Sequence, residues 1–272
     1  MTMTAQTRSN DAAGASPAEP MTVKSAERVL TILEVLGAAD HPLTVVELHK
    51  QTGYPRSSLH QLLRTMIAKK WVEPLGDASR LGIGSRALLT GTTYLDRDAA
   101  LPHATRTLEA IRAESRYTTH YARLDGPNIL YLATREATEA HRLTSRIGRQ
   151  LPANATALGK ALLAELTDVE VERLLPAQPY ARLTENTITD LAGLTDQLAS
   201  TRARGYAVER EENTVGIACV SVAVPYRIPA TDAISCSIPI EQATDDEVAR
   251  VASILGAQTS ALAGMLRSQG IR

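Results

Sequence analysis

Residues Thr44–Lys70 read TVVELHKQTGYPRSSLHQLLRTMIAKK. Thr44 and Glu47 have the T-x-x-E spacing of a capping box, in which each side chain satisfies a free backbone donor of a first helical turn. A short helix is therefore predicted from Thr44 to about Gly53. Gly53-Tyr54-Pro55 then supplies a sharp turn, with Pro55 suited to the first position of the next helix, where its missing N–H costs nothing. In that helix Leu59, Leu62, Leu63, Met66 and Ile67 recur at i, i+3, i+4, i+7 and i+8, an apolar stripe that needs a core. The rest of its surface carries Arg56, Ser57, His60, Gln61 and Arg64, then Lys69 and Lys70, with no acidic residue from Pro55 onward.

Working outward, Val29, Leu30, Leu33 and Leu36 recur at helical spacing after a possible cap at Ser25 and before a stop at Gly37. Downstream, WVEPLGDASRLGIG (Trp71–Gly84) reads as two short extended runs turning at Gly76-Asp77, a β-hairpin anchored on the helices by Trp71. Helix, helix, turn, helix and hairpin is the order of a winged helix-turn-helix domain. The whole chain carries a formal charge of only −1 over 272 residues, which disfavours general nucleic-acid packaging or a basic membrane surface. Positive charge gathered on one helix instead suits phosphate contact and base-edge reading in a major groove, with Arg56, Ser57, His60, Gln61 and Arg64 as the candidate DNA-contacting residues.

One helix in one groove reads few bases, so a two-fold dimer on a palindromic operator of double-stranded DNA is expected, as a homodimer or a dimer of dimers. The next segment, SRALLTGTTYLDRD, places Leu88, Leu89, Tyr94 and Leu95 on one side of a linker helix that a second chain could cover. Residues 1–21, rich in Ala, Thr, Ser and Pro without periodicity, read as a disordered tail. The expected organisation is thus tail 1–21, winged helix-turn-helix 22–84, linker helix 85–99 and a second domain 100–272.

In that second domain a helix is expected near 103–115, then a hairpin, TTHYARLDGPNILYLATRE, turning at Asp125-Gly126, and a strand over Ala140–Ser145. Helices follow over Ala155–Glu165, over Asp168–Leu175 behind a Thr167/Glu170 capping box, and over Leu191–Arg204, stopped by Gly205. IACVSVAVPY and AISCSIPI are strands, and a last helix capped by Thr244 with Glu247 runs to about Leu266. Hairpin-joined strands with helices gathered around them predict an α+β domain on an antiparallel sheet.

SAERVLTILEVL, TVVELHKQTGYPRSSLHQLLRTM and RLGIGSRALLTG together resemble the N-terminal domain of the IclR family of bacterial transcription regulators. LPANATALGKALLA (Leu151–Ala164) is similar to that family's P-x-H-A-T-x-x-G-K-A-x-L-A, and RGYAVEREENTVGIACVSVAV (Arg204–Val224) to its G-Y-x-x-D-x-E-E-x-x-x-G-x-x-C. The resemblance spans residues 24 to 268 and implies a C-terminal domain of GAF-like fold that binds a small molecule, often a carboxylate. It implies Ala157, Leu158, Glu209, Cys219, Ser235 and Ser237 as effector-binding residues. Asn154 replaces a frequent His and Glu209 an Asp, which implies an effector of different size or charge. Arg80 stands in the wing where many members have an aromatic residue.

Rival chemistries find less support. A P-loop needs Gly at 154 and Ser or Thr at 161, where this chain has Asn154 and Ala161. Gly159 then serves close packing, and Lys160 is expected to point to solvent or a partner subunit. A small-molecule enzyme with Cys219 or Cys236 as nucleophile would draw a base from His120 or His141, but both cysteines lie in apolar, strand-like runs. No spacing of His and Cys asks for a metal, and no cofactor is expected. Two cysteines, no signal peptide and no apolar run of about 20 residues point to a cytoplasmic protein without membrane association.

Overall fold

A computed structural model describes residues 23–76, 79–137 and 147–272. The expected tail and the expected strand over Ala140–Ser145 lie outside the described residues. The chain divides into two compact units between Thr93 and Tyr94.

The first unit opens with α1 (Lys24–Ala38), whose N-cap is Val23 without a side-chain cap; Ser25 sits inside the first turn and Gly37 within the helix. Thr44 caps α2 (Val45–Thr52) with the full reciprocal box: Glu47 N–H donates to Thr44 Oγ1 at 3.2 Å, and Thr44 N–H to Glu47 Oε2 at 2.7 Å. Gly53 ends α2 at φ +69°, a conformation that favours glycine. Pro55 is the N-cap of α3 (Arg56–Ala68), one position earlier than the sequence suggests. Leu59, Leu63 and Met66 of α3 are buried against Ile32, Leu36 and Leu48, with Trp71 packed on the same core.

The expected hairpin forms as β2 (Val72–Leu75) and β3 (Arg80–Ile83), but β1 (Leu43–Thr44) joins it, giving the order β1-β3-β2. Arg80 donates to the Pro42 carbonyl at 2.9 Å and lies 3.8 Å from Glu47, so this wing residue ties the sheet to α2. The helix α4 (Ser85–Asp96) has no buried residue, and Leu88 and Leu89 are 69% and 63% exposed.

The second unit is built on one antiparallel sheet of order β6-β5-β4-β9-β8-β7. Its strands are β4 (Thr118–Asp125), β5 (Asn128–Arg135), β6 (Gln150–Pro152), β7 (Ala207–Arg210), β8 (Ile217–Ala223) and β9 (Asp232–Pro239). One face packs on α5 (Leu101–Ser115) and α9 (Asp245–Ser268) through Leu108, Ile111, Ile234, Ile238, Val251 and Leu255. The other packs on α6 (Ala157–Leu163), α7 (Asp168–Leu174) and α8 (Leu191–Arg204) through Ala122, Leu158, Leu162, Val171, Leu194 and Ala233. All seven residues of α6 are buried; the helix is shorter at both ends than the sequence suggests, and it starts at Ala157 because Thr156 caps it by accepting from Gly159 N–H.

An ionic clamp sits where β4 and β9 meet the start of α5. Arg123 pairs with Asp232 at 2.6 Å and with Asp98 at 2.7 Å, and donates to Tyr94 Oη at 3.4 Å. Asp98 in turn accepts from the Ala100 and Leu101 backbone, capping α5.

Candidate functional site

In the first unit, α3 buries its stripe inward and leaves Arg56, Ser57, His60, Gln61 and Arg64 exposed together. Arg56, His60 and Arg64 are spaced by four, so they line one face. Ser58 lies apart from them and accepts from Arg28 of α1 at 3.0 Å, while the Arg28 guanidinium stacks 5.1 Å over the Tyr54 ring. The turn between α2 and α3 is thereby fixed from behind: the His49 ring reaches the Tyr54 carbonyl at 2.7 Å.

In the second unit, strand alternation sends one set of side chains toward α6. Glu209 pairs in register with Cys219, Cys219 with Ser237, and Ser221 with Ser235, which in turn pairs with His120. Four of the six residues implied by the family resemblance, Glu209, Cys219, Ser235 and Ser237, therefore share one sheet face. Ala157 and Leu158 belong to the α6 core packed on that face. Gly159 lets α6 pack tightly on the turn Ala153–Ala155 that precedes it, since a Cβ there would fall 2.1 Å from the Ala153 carbonyl oxygen.

The polar groups form a chain. His120 Nε2 lies 3.2 Å from Ser237 Oγ, which is 3.4 Å from Cys219 Sγ, and His120 Nδ1 lies 3.1 Å from Thr134 Oγ1. The His120 ring meets Tyr131 edge-on at 5.4 Å. Burial pushes His120 down to about 4, so it stands neutral. Burial pushes the Glu209 carboxyl up to about 7, against hydrogen bonds from the Cys219 thiol and the Glu212 N–H. Desolvation and the neighbouring Glu209 carboxyl raise the Cys219 thiol well above its usual value, a weak position for a nucleophile. Cys236 lies in the opposite core beside Ser115, and burial raises it to about 12.

Lys160 does not point to solvent. It is fully buried and donates to Glu212 Oε1, while Glu212 N–H donates to Glu209 Oε2 at 2.9 Å. Burial lowers the Lys160 ammonium, and Glu212 and Glu209 pull it back up. Glu212 Oε2 is buried without a hydrogen-bond partner among the described residues. The family motifs quoted for Ala157 and Glu209 contain Lys160 and Glu212, but His120, Tyr131 and Thr134 come from a hairpin that no motif marks.

A helix-turn-helix domain with an exposed polar reading face, followed by an antiparallel-sheet domain with buried polar groups under a helix, defines a two-domain transcription regulator. The family described as bacterial transcriptional regulator IclR C-terminal matches residues 92–263, and the IclR helix-turn-helix domain matches residues 25–76. The chain belongs to the IclR family of bacterial transcriptional regulators. It is 32% identical over 230 residues to the transcriptional repressor IclR of Escherichia coli, covering 83% of this chain and 84% of that one. Its fold is similar to an IclR regulator from Alicyclobacillus acidocaldarius, with TM-score 0.77, 22% identity and 90% and 99% of the two chains covered. It is also similar to an IclR homologue from Microbacterium hydrocarbonoxydans complexed with 4-hydroxybenzoate, with TM-score 0.72, 24% identity and 90% and 99% covered. The family is one of regulators and not of enzymes, in keeping with the raised thiols.

Proposed function

We propose that this protein is a cytoplasmic repressor that binds a palindromic operator as a homodimer or a dimer of dimers. Arg56, Ser57, His60, Gln61 and Arg64 meet the DNA, and a small carboxylate on the sheet face beneath α6 controls binding. The proposed organisation is a winged helix-turn-helix over 22–84, a linker helix over 85–99 and an effector-binding domain over 100–272. The observation that carries the DNA reading is the joint exposure of five polar or basic side chains on α3 while its apolar stripe is buried. The effector reading rests on buried Glu209, Ser235 and Ser237 around the half-buried Cys219, with Ala157 and Leu158 opposite, and on the relative crystallised with 4-hydroxybenzoate. Exposure of Leu88 and Leu89 on α4 supports dimerisation through the linker. No helix among the described residues is long and apolar enough to cross a membrane.

The linker is the candidate transmitter. β4 and β9 carry His120, Ser235 and Ser237 on the site and Arg123 and Asp232 in the clamp, and the clamp holds Tyr94 and Asp98 at the end of the linker. An effector must favour one dimer geometry over the other, since equal affinity for both shifts nothing. Protection mapping on the DNA beside the protein's own gene, repeated with small carboxylates and aromatic acids, tests the reading. A palindromic footprint altered by an acid is expected. A footprint indifferent to every acid overturns the effector assignment, and the absence of any footprint overturns the DNA reading.

A further inference from the structure

We infer that the face beneath α6 takes up a carboxylate ligand together with a proton, which comes to rest on Glu209 and makes that side chain the ligand's hydrogen-bond donor. The inference rests on the carboxylate reading above and deepens it. The buried charges set the requirement. Glu209 and Glu212 are joined through the Glu212 N–H, and the single buried cation beside them among the described residues, Lys160, is already bonded to Glu212. Two carboxylates share one ammonium, so an ionised Glu209 leaves one uncompensated negative charge in a desolvated site.

The groups around Glu209 do not relieve this. From β8 comes the Cys219 thiol, raised above its usual range; from the turn after β7, Glu212; from α6, Lys160. Arg204, at the end of α8, opposes the charge of Lys160, and Tyr131 of β5 stays a neutral phenol. Arg149, next to β6, is exposed and its charge reaches that phenol. Arg210 points away to the Ala243 carbonyl and Asp245, and His120, beyond Cys219 and Ser237, is neutral. A ligand carboxylate would add a further anion to a face whose cation is spent.

Protonation resolves the conflict with charge balanced. The ligand anion and one proton from solvent enter, and the net charge of the site is unchanged. Glu209 Oε2 keeps its bond from the Glu212 N–H, and the proton on Oε1 is donated to the ligand oxygen, with Ser237 and Ser235 hydroxyls completing the set. This differs from a site that grips an acid through Arg or Lys, where deprotonated ligand and fixed cation make affinity insensitive to pH near neutrality.

The test is calorimetric titration of the full chain with 4-hydroxybenzoate, benzoate, acetate and lactate, using benzamide as an uncharged control, in buffers of different ionisation enthalpy. With free Glu209 titrating at about 7, Kd for an acid should approach a tenfold rise per pH unit well above that point, roughly 16-fold from pH 7 to 8.5. About one proton should be taken up per acid bound at pH 8.5, and none with benzamide. Glu209→Gln should bind the acid with a flat pH profile and tighter than wild type at pH 8.5. An acid that binds wild type with no proton uptake and a flat profile overturns the inference and leaves the carboxylate reading intact. Failure of every acid to bind at pH 6 overturns both. The wild-type proton count stands whether or not the variant folds.

Discussion

Lys160→Met isolates the buried ion pair with little change in side-chain length or volume. In the folded protein Lys160 is fully buried and the Glu212 side chain is 10% exposed, so the pair is screened little by water. Removing one partner of such a pair typically costs about 3–5 kcal/mol, because the remaining carboxylate is stranded in a poorly solvated place. Glu209 beside it adds a second negative charge and places the expected loss toward the upper end of that range. Lys160→Met/Glu212→Gln removes both charges and should recover most of the loss, giving a coupling energy of about 2 kcal/mol or more. The sign with pH follows: burial already raises the Glu209 carboxyl and the ammonium opposes that rise, so without the ammonium folded Glu209 holds its proton more tightly still than the unfolded chain does. The deficit is then full at alkaline pH and shrinks as pH falls toward the ordinary carboxyl value of about 4.3. Urea unfolding at pH 8 and pH 5.5, followed by far-UV circular dichroism, measures both quantities. Fluorescence of the single tryptophan, Trp71, follows the first domain separately. A Lys160→Met protein within about 1 kcal/mol of wild type at pH 8 would refute the reasoning, since no buried carboxylate could then have depended on the ammonium.

Other expectations are briefer. Arg56→Ala and Arg64→Ala alter exposed side chains, so the fold and the proposed dimer should persist while operator affinity falls by about 1–3 kcal/mol; removing a side chain that binds phosphate should also lower the salt slope by about 1, and unchanged binding at matched salt removes that residue from the interface. Gly159→Ala would set a Cβ 2.1 Å from the Ala153 carbonyl oxygen, and moving α6 clear should cost about 1–3 kcal/mol despite the gain in helix propensity; a thermal midpoint equal to wild type would contradict this packing. His120 binds its proton only near pH 4 when folded, whereas the unfolded chain binds one near pH 6.5, so its contribution is complete above pH 6.5 and is lost as pH falls toward 4. His120→Gln should therefore flatten the acid limb of the stability profile by roughly 3 kcal/mol, and an acid limb as steep as wild type would locate the titration elsewhere.

The elements that declare themselves locally were legible. The Thr44/Glu47 and Thr167/Glu170 boxes, Gly53 and Gly205 as left-handed helix ends, and the Asp125-Gly126 turn each write their geometry into two or three neighbouring residues. Elements that exist only through pairing were not. β1 is two residues long and is a strand because Leu43 and Thr44 face Leu81 and Arg80; β6 is three residues on the edge of β5. At the start of α1 a good capping residue lay nearby, but the chain enters the helix two residues earlier at Val23, leaving Ser25 inside. Among the site residues, His120, Tyr131 and Thr134 carry no local signature. They reach the site through the register of β4 with β5 and β9, a non-local property.

Lys160 shows where a general rule misled and what would have corrected it. A lysine on a two-turn helix ordinarily lies on its wet side, but its neighbours Ala157, Leu158, Gly159, Ala161, Leu162 and Leu163 offer no wet side. A helix apolar all round is buried on every face, and a lone charge within it must find a counterion. The acidic run Glu209-Arg210-Glu211-Glu212 contained the candidates, and strand alternation narrows them. Arg210 leaves the opposite face of the strand for the exposed Asp245 and the Ala243 carbonyl, and Glu211, at φ +57°, turns the chain so that Glu212 folds back over the same face as Glu209. The same alternation separates the two cysteines. In Ser235-Cys236-Ser237 the serines share a face with Cys219 and His120 while Cys236 faces α5 and α9, so any chemistry ascribed to a cysteine–histidine pair had to fall on Cys219 alone. Beside the buried Glu209 that thiol is held protonated, which argues against a nucleophile and agrees with the hydrogen-bonding role proposed for it.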